Sequence, residues 1–420
     1  MLNTPKSLRL QIGLFGRTNV GKSSFLNMVA GQDVAITSPF AGTTTDVVEK
    51  TMEILPLGPV VILDTAGLDD HSVLGEARRE KTGNALTRCD ILVLVTEADS
   101  WGDTEIQFCK EVKKPLIIVV NKCDQTKPSD SFLEMLNKQV KAVVVISSVD
   151  PVRRLEYIND FKAALVRMVP DDCLHPATLV GDLLPAGGLA VLVVPIDLQA
   201  PKGRLILPQV QTIRDILDND ATVAIVKERE YAAFLKQLNR LPDLVVCDSQ
   251  VVMKMVADTP LGVPCTTFSI LMARLKGDLI EFARGAAVIE HLQVNDKVLI
   301  AESCSHHALE DDIGRVKIPR WIRQYLGVDL QFDVLSGRDY PKNLKDYQLI
   351  IHCGACMLTR GEMLSRLYQA RQSQVPVSNY GLVISVVQGV IHRVLSPFPA
   401  ALNAYIKEYD SIRGGGLYVR

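Results

Sequence analysis

Residues 11–31, QIGLFGRTNVGKSSFLNMVAG, contain the segment on which the fold is decided. An apolar run ends at Gly16-Arg-Thr-Asn-Val-Gly21-Lys22-Ser23, which fits G-x-x-x-x-G-K-[ST], and a helical pattern follows at once. Strand, glycine-rich turn and helix in that order form a phosphate cradle: the glycines let backbone N–H groups turn inward, and the helix N-terminus favours an anion. Lys22 adds a point charge for the outer phosphates and the Ser23 hydroxyl is a magnesium ligand, with Gly16, Asn19, Val20, Gly21 and Ser24 completing the loop.

Outward from this loop, residues 8–170 alternate short apolar runs with helical patterns, and VVIL, ILVLV and LIIVV are almost continuously apolar. That is the βαβ rhythm of a mostly parallel sheet covered by helices on both faces. Val169-Pro170-Asp171-Asp172 and His175-Pro176 then punctuate the chain, predicting a boundary near 171. A second α/β set runs to about residue 270 through LAVLVVPID, TVAIV and DLVVCD, and a third follows through KVLIAESC and YQLIIHCGAC. The expectation is an α/β chain in three parts, 1–170, 171–270 and 271–420, with Gly414–Gly416 as a flexible tail.

The other elements of a GTPase follow the loop in order. Asp64-Thr-Ala-Gly67 closes a predicted strand, setting Asp64 to hold magnesium and the Gly67 amide to sense the γ-phosphate. Asn121-Lys122-Cys123-Asp124 closes another, and the Asp124 carboxylate can accept two hydrogen bonds from guanine, whereas adenine would leave it unpaired. Ser147-Ser148 stands where such proteins back the base with a loop, and Thr43-Thr44-Thr45-Asp46 resembles a first switch, with Thr44 aligned to close over magnesium. Leu68 occupies the position where Ras-like proteins carry a water-orienting glutamine, so slow intrinsic hydrolysis is expected. Asn19 resembles the asparagine that ligates K⁺ in potassium-activated GTPases of the tRNA-modifying class. In that class a glutamate follows the Asp64 position by twelve residues, which falls here on Glu76.

Lys plus Arg (46) nearly balances Asp plus Glu (48), so the global field does not draw the chain to nucleic acid or an anionic membrane. No apolar stretch approaches the roughly 18 residues of a membrane span. The N-terminus has no signal-peptide pattern, and nine Cys over 420 residues do not suit a secreted disulfide framework. A cytoplasmic location with reduced thiols is expected, and Cys89, Cys109, Cys173, Cys247 and Cys265 sit singly in or beside apolar runs as small core residues do.

The remaining thiols are grouped. Cys304-Ser-His306-His307 ends one predicted strand and His352-Cys353-Gly-Ala-Cys356 ends another, so both groups can meet at the carboxyl edge of one α/β unit. A Cys₃His set suits structural zinc, whereas three Cys without an obvious fourth suit a 4Fe-4S cluster with one replaceable ligand. Cys304, Cys353 and Cys356 are the expected cluster ligands, and His352 and His306 are candidates for the fourth position or for an orienting role.

A potassium-type GTPase joined to Cys304, His306, His352, Cys353 and Cys356 in one chain resembles the HydF family of FeFe-hydrogenase maturation GTPases over residues 8–400. The resemblance implies a GTPase domain, a middle domain that forms a homodimer and a domain that binds a 4Fe-4S cluster. It also implies a scaffold that receives a two-iron precursor from two radical-SAM maturases and passes it to apo FeFe-hydrogenase, with GTP hydrolysis gating the exchange. The cofactors implied are GTP, Mg²⁺, K⁺ and the cluster, with no nucleic-acid or membrane partner. A competing reading is a ribosome- or tRNA-associated GTPase switch with structural zinc.

Overall fold

The computed structural model describes residues 6–31, 48–65, 68, 85–98, 100–170, 178–195, 205–303, 312–337, 340–341 and 343–415. They form two units, Met1–Pro176 and Ala177–Arg420. Of the residues singled out above, Thr44, Gly67, Glu76, Cys173, Cys304, His306 and His307 lie outside the described set.

The first unit is built on strands β1 (Leu10–Phe15), β2 (Val48–Ile54), β3 (Gly58–Asp64), β4 (Ile91–Glu97), β5 (Leu116–Asn121) and β6 (Ala142–Val145). They stand in the order β2-β3-β1-β4-β5-β6, and every pair is parallel except β2 with β3. The apolar runs of the central strands are buried throughout because both faces are covered. Successive side chains go to opposite faces, so Ile12, Leu14, Val93 and Val95 join one core while Phe15, Leu92 and Leu94 join the other. β2, VEKTMEI, is an antiparallel edge strand whose mixed polar sequence gives no buried-strand signal. Helices α1 (Lys22–Ala30), α2 (Asp103–Glu111), α3 (Asp130–Gln139) and α4 (Arg154–Met168) cover the sheet.

The second unit holds two all-parallel four-stranded sheets. Strands β7 (Leu189–Val193), β8 (Thr222–Val226), β9 (Leu244–Cys247) and β10 (Cys265–Thr267) are ordered β10-β9-β7-β8. Strands β11 (Lys297–Ala301), β12 (Gln331–Leu335), β13 (Leu349–His352) and β14 (Val377–Asn379) are ordered β12-β11-β13-β14. A single apolar core runs through both, from Val191 and Val246 to Ile300 and Ile351. Helices α5 (Leu207–Asp218), α6 (Tyr231–Gln237) and α7 (Val252–Asp258) lie between successive strands of the first of these sheets, and α8 (Phe268–Lys276) follows β10. α8 begins at Thr267, whose side chain accepts from the Ile270 N–H, and stops at Gly277. Asp278 then caps the next helix by accepting from the Ile280 and Glu281 N–H groups. The last helix runs Pro399–Gly415, so two of the three glycines expected in a flexible tail are helical. Among the described residues no helix is long and apolar enough to cross a membrane.

Candidate nucleotide and cysteine sites

β1 lies between β3 and β4, and the chain leaves its carboxyl end into the glycine-rich loop at the point where the strand order reverses. Such a reversal opens a crevice for a ligand. Gly16 has φ +145°, and a Cβ there would lie 2.3 Å from the Val95 carbonyl oxygen. Gly21 has φ +91°, and a Cβ there would lie 2.3 Å from Asn121 Nδ2, so the loop needs glycine at both ends. Asn19 between them is also left-handed, at φ +66°. Lys22 Nζ donates to the carbonyls of Gly16 at 3.0 Å and Arg17 at 2.8 Å, folding its charge back across the loop.

Ser23 Oγ lies 3.5 Å from Asp64 Oδ2, bringing together the two residues expected at magnesium. Burial raises the Asp64 pKa, opposed by the Lys22 and Lys50 charges and the Ser23 hydrogen bond. A half-buried carboxylate and a hydroxyl are hard oxygen donors of the kind Mg²⁺ takes, so this pair fits the ion. Leu68 donates its N–H to the Gly16 carbonyl at 3.1 Å and packs its side chain on the core, so it offers no group to orient water.

On the base side Asn121 acts as a hub. Its Nδ2 donates to the Val20 carbonyl at 3.0 Å, and its Oδ1 accepts from Ser148 N–H at 3.0 Å and Ser148 Oγ at 2.8 Å. One side chain thus ties the phosphate loop, the end of β5 and the loop after β6. Lys122, at φ +60°, donates to the Asn19 carbonyl at 2.9 Å and pairs with Glu97 at 2.5 Å. Asp124 is exposed, and Ser147 is fully buried, its hydroxyl without a partner among the described residues. Sequence reading missed a further tie: Arg17 forms a two-point ion pair with Glu105 at 2.6 and 2.7 Å. Glu105 is 1% exposed and also accepts from the Gly102 N–H at the start of α2. The x positions of a loop motif carry no signal for this pair.

In the second unit the cysteine segments meet as their strands do. β11 and β13 are adjacent and parallel, with Ala301 in register with His352, and β11 is where this sheet's order reverses. Ser303 N–H donates to Cys353 Sγ at 3.2 Å and the thiol donates to Ser303 Oγ at 3.1 Å, so the residue before Cys304 touches Cys353. Cys353 and Cys356 are both half-buried. The turn between them passes through Ala355 at φ +51°. Burial, then the neighbouring Cys353, pushes the Cys356 thiol up, against the pull of backbone N–H groups and of Lys276.

His352 is fully buried and stacks on Tyr340 at 5.7 Å between ring centroids. Burial and the Arg366 guanidinium hold its pKa at about 3, so the imidazole is neutral, and neither ring nitrogen has a partner among the described residues. Two neighbouring thiols at a strand-end crevice are soft donors, and they fit part of the ligand set of an iron–sulfur cluster. The described residues by themselves hold no cluster of three or more metal-ligating side chains. Cys89, Cys247 and Cys265 are buried and Cys109 is half-buried, as expected of core cysteines.

The nucleotide loop, the paired Ser23 and Asp64 and the base-side hub define the first unit as a P-loop GTPase domain, and the profile of the 50S ribosome-binding GTPases matches residues 11–122. The chain belongs to the hydrogen maturase F family. The profile of that family's dimerization domain matches residues 179–277 and that of its tetramerization domain residues 280–397, together just over half of the chain. Their junction falls at the Gly277–Asp278 break between two helices.

Similar curated proteins include the tRNA modification GTPase MnmE of Endomicrobium trichonymphae, 37% identical over 33% of this chain and 32% of that protein. GTPase Era of Aquifex aeolicus is 30% identical over 41% of this chain and 61% of its own length, and GTPase Der of Chloroflexus aggregans 33% identical over 40% and 41%. The chain thus spans between a third and three-fifths of the length of these relatives. Among solved structures, Era of Aquifex aeolicus bound to GDP and aluminium fluoride is 20% identical over 55% of this chain and 98% of that one, with a TM-score of 0.30.

Proposed function

We propose that the protein is a GTP-gated scaffold for FeFe-hydrogenase maturation, binding a 4Fe-4S cluster and carrying a two-iron precursor to apo-hydrogenase. The observation that carries this reading is one chain in which a GTPase profile is followed by both hydrogen maturase F profiles. The likeness to ribosome- and tRNA-associated GTPases is carried by the GTPase part, and the two hydrogen maturase F profiles over the rest favour this reading over a switch with structural zinc.

In this reading Gly16, Val20, Gly21 and Ser24 turn backbone amides toward the phosphates, and Lys22 sets its ammonium beside the outer ones. Ser23 and Asp64 hold magnesium, which when bound neutralises charge on the β- and γ-phosphates. Asn19 offers its side chain to K⁺, which takes the place an arginine finger has elsewhere. Asp124 reads guanine, Asn121 and Lys122 brace the loops, and Ser147 and Ser148 back the base. Thr44 and Gly67 sense the γ-phosphate, and Glu76 acts on the nucleophile side.

Residues 171–270 form the homodimer. In support, β8 is an edge strand, and Val210, Leu217 and Ile225 are large apolar residues left 45–51% exposed. Residues 271–420 bind the cluster through Cys304, Cys353 and Cys356, with His352 or His306 as fourth ligand or orienting group. Once bound, the cluster supplies one-electron chemistry and a replaceable coordination position. The partners are the two radical-SAM maturases and apo-hydrogenase, in the cytoplasm.

The test mixes the purified protein with both maturases, their substrates and apo FeFe-hydrogenase. Hydrogenase activity should appear with GTP and fall strongly with a non-hydrolysable analogue. No activation under any nucleotide condition would overturn the reading.

A further inference from the structure

Glu97 is the last residue of β4, in register with Asn121 of the base motif on β5. The turn that follows is closed from both sides: Glu97 N–H donates to Ser100 Oγ at 3.3 Å, and Ser100 N–H donates to the Glu97 carbonyl at 3.4 Å. A carboxylate at this edge stands close to a loop shaped for polyphosphate, and it repels the anion that the loop receives. What it pairs with accounts for its place. The carboxylate meets Lys122 Nζ at 2.5 Å, and the same ammonium donates to the Asn19 carbonyl at 2.9 Å. The Glu97 and Lys122 side chains are 23% and 32% exposed, so the pair is better shielded than the surface ion pairs that contribute little.

The two residues that this ammonium joins are both left-handed, Asn19 at φ +66° and Lys122 at φ +60°. Residues other than glycine keep that conformation only where their surroundings hold them. A lysine side chain is long and flexible, and without a carboxylate beside it the ammonium is free to leave the Asn19 carbonyl for water. Glu105 holds Arg17 from the start of α2, so the chain leaving β4 grips the phosphate loop at residues 17 and 19 through two acidic side chains. We propose that Glu97 is a positioning residue of the nucleotide site: its carboxylate fixes the Lys122 ammonium on the Asn19 carbonyl, so that the phosphate loop and the base motif are ordered together before the nucleotide arrives. The inference rests on the reading that this crevice takes a guanine nucleotide.

The test is made on the full-length, nucleotide-free protein, titrated with GDP and with a non-hydrolysable GTP analogue. Charge alone predicts tighter binding when a carboxylate is removed from beside the cradle, whereas loss of a positioning group predicts weaker binding. Glu97→Gln should weaken both nucleotides about tenfold, the size of one charge-assisted hydrogen bond, and turnover at saturating GTP should fall by less than the affinity does. In a Lys122→Met background the same change should no longer weaken binding, because the cation it positions is gone. A role in the fold alone would weaken binding equally in both backgrounds. Amide hydrogen exchange at residues 19–22 of the nucleotide-free protein should also quicken several-fold in Glu97→Gln. Glu97→Ala replaces the Gln variant if the latter is insoluble. Unchanged or tighter binding in the single variant would overturn the proposal, as would an equal loss in both backgrounds. If wild-type protein binds no guanine nucleotide, the site reading fails, and the exchange comparison still decides whether Glu97 holds the loop.

Discussion

The nucleotide loop and the cysteine loop both stand at the carboxyl edge of a parallel sheet where the strand order reverses, β1 in one unit and β11 in the other. They are held by different means. Much of the nucleotide loop is held by its own motifs: glycines at two left-handed positions, Lys22 folded onto the loop carbonyls, and Asn121 of the base motif bonded to Val20. The cysteine loop depends on residues outside its motif, Ser303 at the end of the next strand, Tyr340 stacked on His352, and Lys276, which donates to the Leu358 carbonyl from a helix about eighty residues earlier. A backbone cradle for an anion can be written in eight consecutive residues. A thiolate site must be assembled from side chains on separate strands, so its supports are scattered.

If that contrast is right, the two sites fail separately. The largest effect is expected from Cys353→Ser, which should abolish iron–sulfur loading while leaving GTP turnover within about twofold, the folded GTPase unit being intact. Loss of both activities would break the comparison. Lys22→Ala should cut GTP hydrolysis by about 10²–10³-fold, as removal of one charge-stabilising donor does. Its iron content should match wild type, and a parallel loss of iron would show that the sites are not independent. Asp124→Asn should narrow the preference for GTP over ATP by about 1–3 kcal/mol, roughly five- to 150-fold, measured by competitive nucleotide binding. The smallest effect should come from Glu105→Gln, which weakens the tie to Arg17. A loss of about 1–2 kcal/mol in unfolding free energy, with a few-fold weaker GTP binding, would sharpen the view that the loop also leans on α2. Full retention of both would mean the motif alone suffices.

The same contrast explains what could be read from sequence. The parallel α/β runs, the loop from Gly16 to Ser23 and the base motif at Asn121 are contiguous, and each carries its own physical signature. β2 was not legible, because an edge strand reading VEKTMEI lacks an apolar face pattern, and β12 and β14 are short strands recoverable only through their neighbours. The pairing of the cysteine segments was legible in outline, since both follow apolar strand runs. The register of Ala301 with His352 was not, because it depends on how β11 and β13 align. Nor was the burial of Lys276 and Glu105, since a charged residue at a helix end reads as solvated until the fold covers it. The glycines at 414 and 415 misled in the other direction: the helix from Pro399 continues through them despite their poor propensity.

The central claim is that one chain carries a GTP site and a separate iron–sulfur site. The most direct measurement is iron, acid-labile sulfide and zinc per chain in anaerobically purified and reconstituted protein, with the electron paramagnetic resonance spectrum after reduction. About four irons and four sulfides with a 4Fe-4S signal, lost on changing Cys304, Cys353 or Cys356, is the result this account predicts. One tightly bound zinc and no cluster on reconstitution would contradict it.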